Sequence, residues 1–157
     1  METAPKRKSG GKDKATTVQA LERLLADSYT LYLKTHSYHW NVTGAMFSTL
    51  HTMFETQYTE LALAVDEIAE RIRALEAPAP GSYSQFMEHA KVKEDRGVPK
   101  AMDMIRNLVA DHQAVAASGR KVVKAAQAAG DDASGDLGVR RIDLHEKTAW
   151  MLRSHLE

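Results

Sequence analysis

Residues 47–75, FSTLHTMFETQYTELALAVDEIAERIRAL, contain the pattern that decides the fold. Apolar side chains recur every three or four residues along this stretch, which is the spacing of one face of an amphipathic α-helix. We therefore expect one long helix that ends at about Leu75. Its apolar face consists of Phe47, Leu50, Phe54, Tyr58, Leu61, Val65, Ile68 and Ile72.

Three other stretches of the chain show the same helical spacing. One starts at a Thr-Thr capping signal at residues 16–17 and is broken at Gly44, and another follows Pro99, because proline is favoured at the first position of a helix. The segment 77–82, APAPGS, is typical of a linker. The expected long helices are 16–42, 47–75, 99–129 and 134–155, with a short helix at 83–91.

These elements describe an all-α four-helix bundle with a short extra helix between the second and third long helices. No strand pattern competes with this interpretation, and 157 residues are enough for one domain with a hydrophobic core. Residues 1–14 differ, since they contain no large apolar side chain after Met1. We expect a flexible basic tail over residues 1–15 and the helical domain over 16–157.

The composition excludes several classes of function. The chain has no cysteine, which rules out disulfides, thiolate zinc sites, iron–sulfur clusters and a cysteine nucleophile. The longest apolar run, Leu61 to Val65, is far too short for a membrane span, so we expect a cytoplasmic protein without a membrane partner. The net charge is zero, but residues 1–14 carry five basic and two acidic side chains, so a basic tail precedes an acidic body.

Two pairs of potential metal ligands lie on the second predicted helix. His51 with Glu55, and Asp66 with Glu70, are spaced four residues apart, which places both members of a pair on one face of the helix. His39 lies near the end of the first helix, and a chain reversal between the two helices would bring it next to His51. Imidazole and carboxylate ligands without thiolate suit iron, manganese or zinc.

The two pairs are too far apart to share a metal ion within one chain, since they stand roughly 16 to 22 Å apart along the helix axis. The chain also lacks the Glu-x-x-His motif that builds a di-iron site inside a single bundle. However, residues 51 and 70, and residues 55 and 66, are centred on the same point between residues 60 and 61. Two copies packed antiparallel about a two-fold axis there would bring the pairs together twice. The pattern predicts an intersubunit metal site with His39, His51 and Glu55 from one chain and Asp66 and Glu70 from its partner.

The motifs that carry these residues resemble those of a known family. The run HWNVTG at 39–44, the dipeptide at 50–51 followed by Glu55, and the run DEIAER at 66–71 are closely similar to the Dps family, the mini-ferritins named as DNA-binding proteins from starved cells. The resemblance extends over residues 17–156 and includes the short helix. It implies a ferritin-like bundle and a hollow shell of twelve subunits, with ferroxidase centres at the two-fold interfaces.

The resemblance also implies an enzyme, a ferroxidase that oxidises ferrous iron, preferably with hydrogen peroxide, and stores the ferric product as a mineral inside the shell. His39, His51, Asp66 and Glu70 are the ligands that it implies for two iron positions per site, while Glu55 stands where many members have aspartate. Carboxylates stabilise ferric iron, and neutral imidazoles hold the metal without over-neutralising it. Because each iron has few ligands, positions stay open for peroxide. Joint reduction of peroxide by two ferrous ions releases no hydroxyl radical, as protection of DNA requires. Zinc is a candidate substitute for iron.

Acidic residues at the start of the fourth helix have two interpretations. Asp131 and Asp136 suit the positive end of the helix dipole, so capping is the simpler one. The resemblance implies instead an acidic three-fold pore that draws ferrous ions inward, with Asp132 as a weaker candidate. It also places Trp40 and Trp150 near the iron site as electron donors, whereas the usual position of tryptophan is in a core or an interface.

The basic residues of the tail point to a contact with DNA. Such side chains bind phosphates without reading sequence, and twelve copies on one shell would add their weak contacts through multivalency. The alternative is a tail that serves solubility alone. A protein that binds DNA in this way would be nucleoid-associated. The residues expected to contact DNA are Lys6, Arg7, Lys8, Lys12 and Lys14.

Two other functions compete with that of an iron-oxidising shell. One is a nucleoid-compacting DNA-binding protein with a structural or vestigial metal site, and the other is an inert helical assembly module. The presence of both ligand pairs argues against the first, and five convergent polar residues argue against the second. His36 is close enough to His39 to extend a metal site, with a solvated or hydrogen-bonded role as the alternative. We expect surface or structural roles for His89, His112, His145 and His155.

Overall fold

The structure is a computed structural model that describes residues 10–157. Its elements in chain order are α1 (Gly10–Asn41), α2 (Phe47–Ala74), α3 (Tyr83–His89), α4 (Ala101–Ala129) and α5 (Asp132–Arg153). Helix α1 packs along both α2 and α4, α4 packs along α5, and α2 meets α5 over a short region. The predicted all-α four-helix bundle with a short extra helix is confirmed, and residues 10–157 contain no strand. None of the helices in that range combines the length and the hydropathy needed to cross a membrane.

Helix α1 begins at Gly10, so the predicted start at Thr16 is wrong. The Thr16 hydroxyl donates a hydrogen bond backward to the carbonyl of Lys12 at 3.0 Å, as threonines do inside helices, and does not cap the residues that follow it. Lys14 pairs with Glu76, just beyond the end of α2, at 2.9 Å. Of the residues predicted to bind DNA, Lys12 and Lys14 therefore lie on α1, whereas Lys6, Arg7 and Lys8 lie outside the described residues.

The core lies between the four long helices, where their apolar faces meet. On α2 the predicted positions Leu50, Phe54, Leu61, Ile68 and Ile72 are buried. Full burial of such a side chain contributes roughly 1.5–3 kcal/mol, so this face holds α2 firmly against the bundle. The side chains that complete the core include Leu21, Leu24 and Leu31 of α1, Ile105, Leu108 and Val115 of α4, and Leu137 and Leu152 of α5.

A few predicted details at the edges of the helices are wrong. Pro99 is not the first helical residue, because the residue after it has an extended backbone and α4 begins at Ala101. On the short helix α3, Phe86 is buried and Met87 is exposed. Trp40 and Trp150 are 59% and 58% exposed, so neither packs in the core of the chain.

Helices α4 and α5 approach each other closely at two glycines. A Cβ atom on Gly138 would lie 2.8 Å from Cγ2 of Val123 and 3.1 Å from the carbonyl oxygen of Gly119. An antiparallel pair that meets at residues 119 and 138 also brings residues 112 and 145, seven positions away on each helix, opposite each other. This close contact therefore sets which side chains of α4 and α5 face one another.

A buried carboxylate anchors the long connection between α2 and α4. Asp27 of α1 accepts hydrogen bonds from the backbone amides of Lys91 and Val92, at 2.5 and 2.9 Å, and from the Ser118 hydroxyl at 2.5 Å. A buried charge is tolerated only when hydrogen bonds replace its hydration, so these three donors hold the connection in one place on the bundle.

Candidate metal centre

The candidate site begins at the turn between α1 and α2. Gly44 has a φ of 106°, in the region that favours glycine, and the chain reverses around it between the two helices. The reversal brings His39 of α1 against His51 of α2, with ring centroids 3.8 Å apart and ring planes at 14°. The predicted proximity of these two histidines is confirmed.

Reciprocal hydrogen bonds fix the orientation of both rings. Nδ1–H of His39 donates to the carbonyl of His51 at 2.7 Å, and Nδ1–H of His51 donates to the carbonyl of His39 at 2.8 Å. Because a carbonyl oxygen only accepts, each neutral ring has its proton on Nδ1 and its lone pair on Nε2. Neither Nε2 atom has a hydrogen-bond partner within residues 10–157. Both imidazoles are thus held in the tautomer that a metal ligand needs, by the kind of backbone contact that supports metal-binding histidines.

The three predicted carboxylates are exposed on α2. Within residues 10–157, no ion pair involves Glu55, Asp66 or Glu70. Glu55 follows His51 by one turn, whereas Asp66 lies about 22 Å beyond His51 along the helix axis. The described part of one chain accordingly contains no group of three or more side chains that could hold a metal ion. One subunit presents the predicted ligands in two separate groups, imidazoles with a carboxylate at one end of α2 and two carboxylates further along it.

Aromatic rings surround the histidine pair. Tyr58 meets the ring of His39 edge-on at 5.1 Å. His36, considered above as an additional ligand, stacks on Tyr58 and lies against Trp40, with ring centroids 4.1 Å apart in each case. Burial and the neighbouring His39 lower the pKa of His36, which favours its neutral form. The structure therefore places His36 in the aromatic surroundings of the pair.

The residues predicted to form an acidic pore are engaged within the chain. Asp131 is the N-cap of α5 and accepts hydrogen bonds from the Ser134 amide at 3.0 Å and from Arg71 at 2.8 Å. Burial raises the pKa of Asp131, but these hydrogen bonds outweigh it and leave the pKa below its usual value. Asp136 pairs with Arg140 at 2.9 Å. The capping interpretation of Asp131 is confirmed, whereas a pore lined by Asp131 and Asp136 stays a prediction.

A second histidine pair is buried inside the bundle. Nδ1 of His112 on α4 lies 2.8 Å from Nδ1 of His145 on α5, and Nε2 of His145 accepts a hydrogen bond from Arg141 at 2.9 Å. Arg141 forms an ion pair with Glu60 of α2. Burial lowers the pKa of His112 to about 3 and also holds the pKa of His145 well below its usual value. Both imidazoles are therefore neutral at pH 7.

The structural role expected for these two histidines is correct, but their pairing was not predicted. Residues 112 and 145 belong to different helices, so no chelating spacing along the chain reveals them. The signal that could have found them is the pair of glycines at 119 and 138, which sets the same antiparallel register.

Known proteins match this chain over most of its length. The ferritin-like domain family matches residues 18–157. A low temperature-induced protein of Nostoc is 39% identical over 142 residues, which cover 89% of this chain and 79% of the relative. DNA protection during starvation protein 2 of Bacillus anthracis is 34% identical over 139 residues, which cover 88% and 95%. The crystal structure of a Dps protein from Vibrio cholerae matches this chain with a TM-score of 0.89 and 33% sequence identity. The match covers 93% of this chain and 92% of that chain, which is described as a member of a broad superfamily of ferritin-like diiron-carboxylate proteins.

Proposed function

Because the chain belongs to the Dps family of ferritin-like proteins, we propose that it is a ferroxidase that stores the iron it oxidises. Ferrous iron and hydrogen peroxide are its substrates, and a ferric mineral inside a shell of twelve subunits is its product. The same reaction protects DNA, because it removes both reactants that generate hydroxyl radical.

The observation that carries this proposal is the reciprocal pair of His39 and His51. Each imidazole donates its Nδ1 proton to the backbone carbonyl of the other and keeps the Nε2 lone pair free of protein partners within residues 10–157. A histidine that uses both nitrogens in hydrogen bonds has no lone pair left for a metal. This arrangement instead offers two neutral nitrogen ligands side by side, which is the donor chemistry that suits iron and also zinc.

The carboxylates that complete the site come from a partner subunit in this proposal. Asp66 and Glu70 are exposed and free of ion pairs in the described part of the chain, so their charges are available to a neighbouring molecule. Leu63, on the same side of α2 and next to the expected two-fold axis, is 72% exposed. Contact between two copies of α2 would bury this leucine and set the two groups of ligands against each other twice.

The ligands have distinct tasks in the oxidation. Glu55, Asp66 and Glu70 bring negative charge, which stabilises ferric over ferrous iron, while the neutral imidazoles hold the metal without adding more charge. Two ferrous ions each lose one electron, and hydrogen peroxide takes up both electrons and two protons to give two molecules of water. Because both electrons leave together, no one-electron reduction of peroxide releases a radical.

The ferroxidase proposal is tested by mixing ferrous iron with peroxide under anaerobic conditions and following ferric absorbance in a stopped-flow instrument. A variant with His51→Ala and Asp66→Ala should lose the fast phase, because every site then lacks a nitrogen and an oxygen ligand. The matched control carries His155→Ala and Asp143→Ala, on or just after α5, and should oxidise iron as the wild type does. Equal rates in the wild type and the His51/Asp66 variant would disprove the proposal.

We also propose that the N-terminal residues bind DNA without sequence specificity and associate the cytoplasmic shell with the nucleoid. The support is the charge of the first 14 residues, of which five are basic and two acidic. Lys12 and Lys14 belong to the first turns of α1, and Lys14 is paired with Glu76. Three of the other four basic residues of this segment therefore precede residue 10. Phosphate contacts of this kind weaken steeply with salt.

The DNA proposal is tested by replacing Lys6, Arg7 and Lys8 with glutamine. The triple variant should lose salt-sensitive retardation of duplex DNA in a gel and keep its ferroxidase activity, since the metal ligands are untouched. A control with the exposed Lys91, Lys121 and Lys124 changed to glutamine removes the same charge elsewhere and should still retard DNA. Retardation that disappears only in the control would locate DNA binding on the helical body instead.

A further inference from the structure

A cavity of about 300 Å³ lies between α2, α4 and α5, and none of the proposed metal ligands lines it. Its size is at the lower end of small-molecule pockets, which span roughly 300–1,000 Å³. Most of its surface is apolar, but four polar side chains and two charged ones interrupt it. The residues that line it include His112, Gln57, Met53, Met151, Glu60 and Lys147.

Two buried polar atoms in this cavity have no protein partner in the described chain. His112 is 1% exposed and Gln57 is 9% exposed, and within residues 10–157 neither Nε2 of His112 nor Oε1 of Gln57 forms a hydrogen bond. Buried polar groups are almost always paired, since an unpaired one costs free energy that the fold must supply elsewhere. Both residues line this cavity, so two unpaired polar groups beside one cavity point to a ligand that bonds to them.

The hydrogen bonds of His145 with His112 and Arg141 determine whether the unpaired Nε2 of His112 is a donor or an acceptor. Arg141 only donates, so Nε2 of His145, which lies 2.9 Å from the guanidinium, is an acceptor. The proton of the neutral His145 ring is therefore on Nδ1 and is donated to Nδ1 of His112, 2.8 Å away. His112 accepts at Nδ1 and carries its own proton on Nε2. The group that His112 offers to the cavity is thus an N–H donor.

This assignment excludes a metal ion as the occupant. A metal ion would bind the lone pair of His112 Nε2, so the proton of His112 would have to be on Nδ1. His145 would then accept that proton at its own Nδ1 and carry its proton on Nε2, which faces Arg141. Two donors would then face each other, because an arginine cannot accept. Charge also argues against an anion, since Glu60 and Lys147 line the cavity with opposite charges.

We propose that the cavity binds a small neutral molecule that carries a hydroxyl group on an apolar body. A hydroxyl is the smallest group of a ligand that satisfies both free atoms at once, because its oxygen accepts from Nε2–H of His112 and its hydrogen is donated to Oε1 of Gln57. The apolar body packs against Met53 and Met151, whose flexible thioethers adapt to ligands of different shape. Phenols and short-chain alcohols have this chemistry.

The proposal is tested on the full-length assembly by equilibrium dialysis with phenol as the probe. Phenol should bind saturably with one site per chain. Toluene, which has the same ring without the hydroxyl, loses both hydrogen bonds and should bind at least about tenfold more weakly. Benzoate should bind more weakly still, because its carboxylate has no hydrogen to give to Gln57 and its charge would lose its hydration in a mostly apolar cavity. This comparison needs no variant and uses none of the metal ligands, so its outcome is independent of the proposed ferroxidase.

A variant locates the binding. Gln57→Leu preserves the bulk of the side chain and removes the acceptor, so phenol should bind about tenfold more weakly while toluene binds as before. Gln127→Leu, an exposed glutamine on α4, is the control and should leave both affinities unchanged. The proposal is overturned if phenol uptake does not saturate, which would mean that water alone occupies the cavity. It is equally overturned if phenol and toluene bind alike, if benzoate binds more tightly than phenol, or if Gln57→Leu leaves the phenol affinity intact.

Discussion

The two histidine pairs of this protein consist of the same side chains and have opposite chemistry. His39 and His51 stand where α1 meets α2 and give their Nδ1 protons to backbone carbonyls. His112 and His145 are buried between α4 and α5 and bond to each other and to Arg141. The first pair keeps both Nε2 lone pairs free of partners within residues 10–157, whereas both lone pairs of the second are occupied.

The comparison shows that proximity does not make two imidazoles a metal site. The deciding factor is the group that each ring faces. A backbone carbonyl accepts a hydrogen bond from one ring nitrogen and leaves the lone pair of the other nitrogen for a metal. An arginine donates a hydrogen bond to the ring and so occupies that lone pair. The first pair is therefore suited to bind a cation, and the second to hold the bundle together and present a single donor.

The largest effect that would test this comparison concerns the stability of the buried pair. Glu60→Leu leaves the Arg141 guanidinium, whose side chain is only 5% exposed, without its counter-charge. We expect the free energy of unfolding to fall by about 3 kcal/mol, as measured by guanidinium denaturation at fixed subunit concentration. Glu146→Leu is the control, because Glu146 pairs with the half-exposed Arg120 and should cost about 1 kcal/mol or less. Similar small losses in both variants would show that the buried network does not depend on Glu60.

A smaller effect should appear as a dependence of stability on pH. Burial lowers the pKa of His112 to about 3, whereas the unfolded chain protonates this residue near pH 6.5. The unfolded state therefore binds more protons below pH 6.5, and stability falls as the pH is lowered from there towards 3. At pH 5 the loss from His112 is about 2 kcal/mol relative to pH 7.

Urea denaturation at pH 7 and pH 5 measures this loss. The His112→Gln variant provides the comparison, since glutamine does not titrate, and its stability should decline less between the two pH values. An identical decline in the variant and the wild type would mean that His112 is not held neutral by burial.

The helices could be predicted because their signal is local. The apolar positions of α2, such as Leu61 and Ile68, are buried as the helical spacing required. His39 and His51 could be placed together for a similar reason, since one tight turn at Gly44 joins their helices. The predicted start of α1 is too late, because threonine is a common N-cap residue, whereas the Thr16 hydroxyl donates a hydrogen bond to the carbonyl of Lys12 within the helix.

The contacts that the sequence did not reveal join residues far apart in the chain. His112 and His145 are separated by 33 positions, and their register depends on a close approach of glycines that no periodicity encodes. Arg71 meets the cap residue Asp131 across 60 positions. Side chains of this kind are placed by packing between helices, so the spacing of residues along a single helix does not reveal their partners.

Each proposed metal site takes imidazoles from one subunit and carboxylates from another. Coexpression of two variants, each of which lacks one of these ligands, distinguishes such a shared site from a site within one subunit. His51→Ala and Asp66→Ala chains with different affinity tags are purified as mixed shells. If the site is shared, about a quarter of the sites in a random mixture pair an intact His51 with an intact Asp66. We expect fast ferrous oxidation at about a quarter of the wild-type amplitude. Mixed shells that are as inactive as either variant alone would show that the site is not shared between subunits.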